Sequence, residues 1–228
     1  MAQASLLGAR RTSVDDVFDQ LHDEILSLRL RPGDKISEAE VAARFGVSRQ
    51  PVRDAFSRLA NLDLLLIRPQ RATEVRRFSM REIEKARFVR LAIEVEVLRR
   101  AAARCDATGG AGLDAALARQ AVAVEARDAA AFGPLDTAFH RLLCQIAGVD
   151  FAAEVIRSEK AKIDRLCLLS LTEAERMPEL LEDHRAIASA VIAGDAEGAA
   201  AAGALHLTRL DETIRRVALS NAEYFESL

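Results

Sequence analysis

Apolar residues recur with a helical period through most of the chain. They fall three or four residues apart between Val14 and Arg29, and again in two short stretches between Ser37 and Leu59. This spacing is typical of amphipathic helices that bury one face. Two short apolar runs on either side of residues 68–71 instead favour a small β-hairpin. This part of the chain therefore predicts three helices followed by a hairpin.

From Ser79 onward the helical spacing continues and no strand pattern interrupts it. Breaks that contain Gly or Asp divide this part into about six helices. Their predicted ranges are Met80 to Cys105, Ala111 to Ala130, Pro134 to Ala147, Phe151 to Leu171, Glu175 to Ala193 and Ala196 to Ser220. The pattern predicts a mainly α-helical protein with a flexible tail over residues 1–12, a first domain over residues 13–78 and a helical bundle over residues 79–228.

The segment SEAEVAARFGVSRQPVRDAFSRL, which starts at Ser37, predicts two helices joined by a fixed turn. Ser37 and Glu40 form a capping box, in which each side chain satisfies a backbone N–H that the first helical turn leaves unpaired. Gly46 stands where a helix commonly ends in a left-handed residue. Ser48 is a second candidate N-cap, and Pro51 lies in the first turn of the next helix, where its missing N–H costs nothing. The second helix begins too soon after the first for the two to lie antiparallel.

The second of these helices has a basic outer face. Its inward side chains are Val52, Ala55, Phe56 and Leu59, which leaves Arg49, Gln50, Arg53, Ser57 and Arg58 facing outward. In helix-turn-helix proteins this end of the second helix reaches base edges and phosphates, and Arg is the side chain best suited to bind guanine bidentately. An ordinary solvated helix pair is the alternative, but the capping, Gly, Pro and Arg positions together favour DNA recognition.

Charge is unevenly distributed, although the formal net charge of the chain is only -3. Residues 44–77 contain eight Arg against three acidic residues, whereas residues 79–228 carry a net charge of -5. A basic block beside a helix-turn-helix is typical of phosphate contact, since a merely solvated face usually mixes its signs.

The run VSRQPVRDAFSRL resembles the winged helix-turn-helix of the GntR family of bacterial transcriptional regulators, and the likeness covers roughly residues 13–77. The resemblance implies that the hairpin is the wing and that the protein binds double-stranded DNA. It implies base contacts by Arg49 and Arg53. The further residues that it places at the same interface are Ser48, Gln50, Arg58 and Arg71.

Two wing positions depart from the family pattern. Asp63 replaces the Gly that commonly precedes the first wing strand, and Ala72 replaces the Gly that usually follows the wing-tip Arg. We therefore expect the path of this wing to differ in detail, while the recognition helix is unaffected.

Three of the four histidines lie on the apolar stripes of three different predicted helices: His140, His184 and His206. Asp136 precedes His140 by four residues, so both project from one helix face. Each buried imidazole or carboxylate would need its own partner in the core, and a satisfied core histidine is the alternative interpretation at each position. One divalent metal held by all four side chains satisfies them together, and such nitrogen and oxygen ligands suit zinc, nickel, manganese or iron.

The second part of the chain, roughly residues 80–222, resembles the FCD effector domain of the FadR-like GntR subgroup. The residues that carry this likeness are Asp136 with His140, the run EDHRAIASAVIAGD, and His206. In many members the matching Asp and three His hold a metal that faces the effector cavity. Cys144, one turn beyond His140, is a conceivable substitute ligand, but a small buried thiol is the favoured interpretation.

Arg90 and Glu94 fall on the inward stripe of the first helix of the bundle. They either form an ordinary ion pair one turn apart, or Arg90 clamps the carboxylate of an effector whose other oxygens complete the coordination of the metal. The residues alone do not choose between these two roles.

The N-terminal segment lacks the apolar stretch of a signal peptide, and no run approaches the length of a membrane span, so we expect a cytoplasmic protein. Cys105, Cys144 and Cys167 are odd in number and show no CxxC pairing, which suits reduced thiols.

Together these features lead to the hypothesis of a homodimeric, ligand-responsive transcriptional regulator. The resemblance implies a short pseudo-palindromic operator, one divalent metal per protomer and a small carboxylate effector. The alternative is a regulator that senses the metal ion itself. A metal-dependent enzyme is disfavoured, because no nucleophile motif and no further acid or base accompanies the ligands.

Overall fold

The computed structural model describes residues 13–167 and 173–226 of the chain. The predicted tail over residues 1–12 and the side chain of Cys167 lie outside the described part, and Cys105 and Cys144 are free thiols. The chain divides into two compact units, with the boundary between Phe78 and Ser79. The mainly α-helical class predicted from the apolar pattern is confirmed.

The last described residues of the chain pack with the N-terminal unit. The Phe78 N–H donates to the Tyr224 carbonyl, and the Glu226 N–H donates to the Phe78 carbonyl, both at 2.8 Å. The Phe78 and Phe225 rings also contact each other, with centroids 5.5 Å apart. The helical pattern predicts these residues as part of the second domain, because backbone pairing by so short a segment leaves no periodic signal.

The N-terminal unit contains three helices and a small sheet. The helices are α1 (Ser13–Leu26), α2 (Glu38–Phe45) and α3 (Arg49–Asn61), and the strands are β1 (Lys35–Ile36), β2 (Leu65–Leu66) and β3 (Thr73–Val75). The strands are antiparallel in the order β1-β3-β2. Leu21, Phe56 and Leu59 are fully buried in the core between the helices. The predicted hairpin is thus β2 and β3, while β1 was not predicted, because two residues are too short for an alternating pattern to show.

The turn between α2 and α3 follows the predicted plan with two differences. Gly46 has φ +64° and ends α2, as predicted. The Ser37 hydroxyl accepts the Glu40 N–H at 3.2 Å, but the Glu40 carboxylate bonds the Ser37 hydroxyl at 2.8 Å rather than a backbone N–H. Only half of the predicted capping box is formed. Ser48 is the N-cap residue of α3, as predicted, but its hydroxyl forms no capping hydrogen bond.

The entry to the wing has a left-handed residue where the family pattern has Gly. Asp63 has φ +58°, and its carboxylate pairs with Arg76 at 2.5 Å. Asp is among the residues that tolerate this conformation best after Gly. The departure noted in the sequence therefore keeps the backbone turn and adds an ion pair.

The second unit is a helical bundle. Its described helices are α4 (Met80–Arg104), α5 (Ala107–Glu125), α6 (Ala129–Ala147), α7 (Phe151–Cys167), α8 (Glu173–Ile192), α9 (Ala196–Thr208) and α10 (Leu210–Ser220). The bounds of three predicted helices are corrected. α5 runs from Ala107 to Glu125 rather than from Ala111 to Ala130, and the Asp106 carboxylate caps its start by accepting the Gly109 N–H. α6 begins before Pro134, at Ala129, because the Asp128 carboxylate caps it by accepting the Ala131 N–H. The last predicted helix is two helices divided at Arg209, where no Gly or Pro marks the break.

Helix α4 lies at the centre of the bundle, where it packs against α6, α7, α8 and α9. The core around it is built mainly from small and aliphatic side chains, among which Ala101, Leu113, Phe139 and Val191 are fully buried. Because α6, α8 and α9 carry the three histidines of the sequence pattern, their packing brings the predicted ligands into the interior.

Candidate metal centre and nucleic-acid interface

His140, His184 and His206 come together in the interior of the second unit. Each offers one ring nitrogen, and these three atoms lie within 4.8 Å of one another. The ring centroids are 4.9 to 5.5 Å apart, and all three side chains are buried. α6, α8 and α9 each contribute one imidazole, so the cluster exists only when the bundle is folded.

Asp136 joins this cluster from the turn of α6 that precedes His140. Its Oδ1 lies 3.5 Å from His184 Nε2 and 4.0 Å from His140 Nε2. The other oxygen, Oδ2, lies 3.3 Å from the Nζ of Lys160 on α7. Burial alone would raise the pKa of the Asp136 carboxyl, but Lys160 and the neighbouring histidines outweigh it and hold that pKa well below its usual range. Asp136 is therefore an ionised carboxylate that faces the imidazoles.

Two of the histidines direct their outer nitrogen at a buried carboxylate. His140 Nδ1 lies 3.0 Å from Glu94 Oε2, and His206 Nδ1 lies 3.4 Å from Asp183 Oδ2. Burial favours the neutral acid at Glu94, but Arg90 and His140 lower the pKa of its carboxyl to about 2. An ionised carboxylate only accepts hydrogen bonds, so His140 donates its Nδ1–H to Glu94 and directs Nε2 toward Asp136.

The third histidine is held by an amide. His184 Nδ1 lies 2.8 Å from Gln120 Oε1, and Gln120 donates its Nε2 to the Leu135 carbonyl at 3.2 Å. The second bond sets which end of the amide faces the imidazole, so His184 donates from Nδ1. Burial lowers the pKa of His184 well below its ordinary value, and the ring is neutral. Its Nε2 therefore presents a lone pair toward Asp136 and the other histidines.

In the described part of the chain, Nε2 of His140 and Nε2 of His184 are buried with no hydrogen-bond partner. Satisfied core histidines would have partners on both nitrogens, because a buried polar atom without one costs about 1–3 kcal/mol. Neutral imidazoles whose Nδ1–H is fixed by an outer acceptor are the usual form of metal-bound histidine. The donor set fits a divalent transition metal at this point.

A cavity of about 350 Å³ opens beside this cluster. Its polar wall includes Arg90, Asp136, Lys160 and His206, and Phe132 and Met177 are among its apolar residues. Arg90 is 3% exposed and donates its Nε to Glu94 at 2.7 Å. Arg90 thus forms the ion pair of the first interpretation and also stands at the cavity wall, as the second requires.

The predicted DNA-contacting residues lie on the surface of the first unit. Arg49, Gln50 and Arg53 are exposed on α3, and Arg71 is exposed in the turn between β2 and β3. The Arg53 guanidinium binds both carboxylate oxygens of Glu38, at 3.2 and 3.0 Å.

Ser48 and Arg58 lie on either side of these exposed residues of α3. Ser48 is exposed just before α3. Arg58 pairs with Asp15 at 2.8 Å and lies over the Phe18 ring, 4.0 Å from its centroid. Arg53 and Arg58 are therefore held in place by carboxylates that the sequence analysis did not assign to them.

Both units match known families. Residues 13–75 match the bacterial regulatory proteins of the gntR family, and residues 86–209 match the FCD domain. The chain is 36% identical over 209 residues to the HTH-type transcriptional repressor RspR of Escherichia coli strain K12, an alignment that covers 92% of each protein. The chain belongs to the GntR family. This GntR-family protein is a bacterial transcriptional regulator with an FCD domain, not an enzyme.

Other similar proteins agree with this assignment. The chain is 32% identical over 190 residues to a probable D-xylose utilization operon transcriptional repressor of Paenarthrobacter nicotinovorans, covering 82% of each protein. Among solved structures, E. coli McbR/YncC has a TM-score of 0.67 and 20% identity, over 91% of this chain and 99% of that chain. At that identity the second likeness concerns the fold alone. None of the helices that the structure describes is long and apolar enough to cross a membrane.

Sequence reasoning on this GntR-family chain missed the residues that support the histidines. Gln120 carries no charge and lies in an Ala-rich helix, so nothing in the pattern distinguishes it. Asp183 is adjacent to His184 in sequence but serves His206. Lys160 was detectable, because it falls on the inward stripe of α7 between Ile156 and Ile163. A charged residue on an apolar stripe is the signal that could have found it.

Proposed function

We propose that this GntR-family regulator is a homodimer that binds a short pseudo-palindromic operator and senses a small carboxylate at a metal site in its FCD domain. The observation that carries the proposal is the convergence of unpartnered imidazole nitrogens on Asp136, beside a cavity whose lining includes Arg90 and Lys160. The carboxylate regulates DNA binding by binding one of two conformational states of the protein more tightly than the other. Equal affinity for both states would leave their populations unchanged.

The recognition helix α3 enters the major groove in this proposal. Arg49 and Arg53 contact bases, and the residues that support them at the interface are Ser48, Gln50, Arg58 and Arg71. The exposure of Arg49 and Arg53 in the N-terminal part of α3 supports this role. Glu38 holds the guanidinium of Arg53 there, and a base must replace the carboxylate to be bound bidentately. A homodimer places two such helices on two half-sites, which gives the operator its symmetry.

The metal is one divalent ion per protomer, either zinc, nickel, manganese or iron, held by Asp136, His140, His184 and His206. When bound, it supplies an open coordination position for a carboxylate oxygen. Arg90 lines the same cavity and donates to the second oxygen. Its Nε is already fixed by Glu94, so the guanidinium is positioned before the effector arrives.

A regulator that senses the metal ion itself is the second candidate. The cavity favours the carboxylate sensor over this alternative, because a metal sensor needs no neighbouring space of about 350 Å³ lined by Arg90 and Lys160. Mild dialysis discriminates between them, since a resident ion stays bound while a signal ion exchanges freely.

DNA binding is tested with a fragment selected by the protein from a randomised pool, measured by gel shift. Arg53→Ala should lose specific binding. Arg157→Ala is the matched control, because Arg157 is also an exposed arginine paired with a glutamate, on α7 of the second unit. Unaltered affinity of Arg53→Ala would contradict the DNA-binding assignment.

A further inference from the structure

Lys160 is a partly buried cation that contacts the candidate ligand Asp136 and also lines the cavity beside it. It lies on α7, 3.3 Å from the outer oxygen of Asp136, and forms an ion pair with Asp164. Its side chain lines the same cavity as Arg90 and His206. Its side chain is 19% exposed, so the ammonium group is within reach of an anion that enters the cavity.

The charges around the cavity balance before a metal binds. Among the described residues, three cations line the cavity: Arg90, Lys160 and Arg176. Three carboxylates face them, Asp136 and Asp164 in the lining and Glu94 behind Arg90. Asp183, behind His206, pairs with Arg209 at 3.0 Å, and Arg209 also pairs with Glu179, a surface residue whose side chain is 55% exposed. Histidines coordinate a metal as neutral imidazoles, so they add no charge to an occupied site. A divalent ion therefore brings two positive charges that these side chains do not compensate.

The charge of the effector decides how much of this excess remains. A monocarboxylate neutralises one of the two charges and leaves the other in a partly enclosed site. An uncompensated charge is unfavourable there, because it loses part of its hydration and no opposite charge replaces it. An effector with two carboxylates removes the whole excess.

The partner of Lys160 is suited to being displaced. The Asp164 side chain is 49% exposed, whereas that of Asp136 is 7% exposed. An incoming carboxylate can replace Asp164 at the ammonium group because Asp164 is then hydrated by solvent. Asp136 stays in place at the cluster. Phe132 and Met177 are buried in the same wall and give the carbon chain between two carboxylates an apolar contact.

We propose that the effector is a dicarboxylate, with one carboxylate on the metal and Arg90 and the other on Lys160, which makes Lys160 a specificity-determining residue. This inference rests on the proposed carboxylate-sensing function. A phosphorylated monocarboxylate would carry close to three negative charges and exceed the excess, since a phosphate monoester carries about −1.5 to −2 at neutral pH.

The test compares acids of equal carbon number on the full-length protein. It is loaded with whichever of Zn²⁺, Ni²⁺, Mn²⁺ or Fe²⁺ binds stoichiometrically, and titrated calorimetrically with malonate and propionate, succinate and butyrate, glutarate and pentanoate, and adipate and hexanoate. At least one dicarboxylate should bind about tenfold more tightly than its monocarboxylate, a difference of about 1.4 kcal/mol.

Substitutions on α7 test whether Lys160 causes this preference. Lys160→Met should abolish it, and Lys160→Arg should retain it. Lys162→Met should leave it unchanged, because Lys162 pairs with Glu159 on the same helix and does not line the cavity. Asp164→Asn removes the surface partner of Lys160 and should strengthen dicarboxylate binding several-fold. If Lys160→Met no longer binds the metal, the result with Asp164→Asn tests the role of Lys160 instead.

Each contrary result has a defined meaning. Equal binding of both acids in every pair, tighter binding of 3-phosphoglycerate than of every dicarboxylate, or a preference that survives in Lys160→Met would overturn this inference and leave the carboxylate-sensing proposal standing. Weakened dicarboxylate binding in Asp164→Asn would also overturn it. A protein that binds neither a metal nor any of these acids would overturn both.

Discussion

His184 and Gln120 form a hydrogen bond in the interior of the FCD domain, with 2.8 Å between Nδ1 and Oε1 and both side chains 0% exposed. The two residues come from α8 and α5, so the bond fixes the ring of a candidate ligand from a helix that supplies no ligand itself. Outer residues of this kind set the tautomer and orientation of metal-bound histidines.

Gln120→Leu should therefore weaken metal binding without removing a ligand. Loss of an outer partner commonly reduces metal affinity by about 10–100-fold. The affinity is measured by competition with a chromophoric chelator. Gln145→Leu serves as the control, because Gln145 is exposed on α6. An affinity that is the same in both variants and in the wild type would show that Gln120 does not position His184.

Removing the metal should lower the thermal stability of the protein. The ion binds a site that exists only in the folded bundle, so it stabilises the folded state, by about 2.7 kcal/mol when the free ion is at a hundred times its dissociation constant. Differential scanning fluorimetry before and after chelation measures the shift. The same treatment of His184→Ala should produce a much smaller shift, and an equal one would place the ion elsewhere.

Two serines at equivalent helix positions should differ in their effect on stability. Ser37→Ala removes a hydroxyl that accepts the Glu40 N–H at the start of α2, and should cost about 1 kcal/mol. Ser48→Ala removes a side chain that caps nothing and should change the free energy of unfolding by less than about 0.5 kcal/mol. Denaturant titration of both variants provides the comparison. Equal losses would contradict the observed capping.

The C-terminal residues should stabilise the N-terminal unit. Phe225→Ala removes the ring contact with Phe78 next to the two backbone hydrogen bonds, and such aromatic pairs contribute about 0.5–1.5 kcal/mol beyond their buried area. Phe151→Ala is the control, because that ring is 77% exposed. Hydrogen exchange at β3 should become faster only in the first variant. Unchanged exchange would show that the contact contributes nothing.

The apolar pattern was sufficient to predict most helices and to predict that the candidate ligands face the interior. His140, His184 and His206 each fall on an apolar stripe, so the pattern places all three imidazoles in the interior, and the structure brings them together there. The support of the cluster was harder to see, because Gln120 and Asp183 act across helices that are distant in sequence. Their roles depend on which helices become neighbours, and no spacing within one helix encodes that.

The missed elements of the N-terminal unit have a similar cause. Strand β1 is two residues long and is stabilised by pairing with β3, so its own sequence carries no alternation. Arg53 is held by Glu38 on α2, and Arg58 is held by Asp15 on α1. Local pattern predicts an element, whereas the partner of a side chain depends on tertiary packing.

The metal content of the purified protein tests the central claim most directly. His22 provides the matched control, since it is the one histidine of the four in the sequence that lies in the N-terminal unit and does not belong to the cluster. Elemental analysis should find close to one divalent transition-metal ion per protomer in the wild type and in His22→Ala, and little or none in His184→Ala. A wild-type protein without such an ion after growth in metal-replete medium, or a His184→Ala variant that retains it, would contradict the claim.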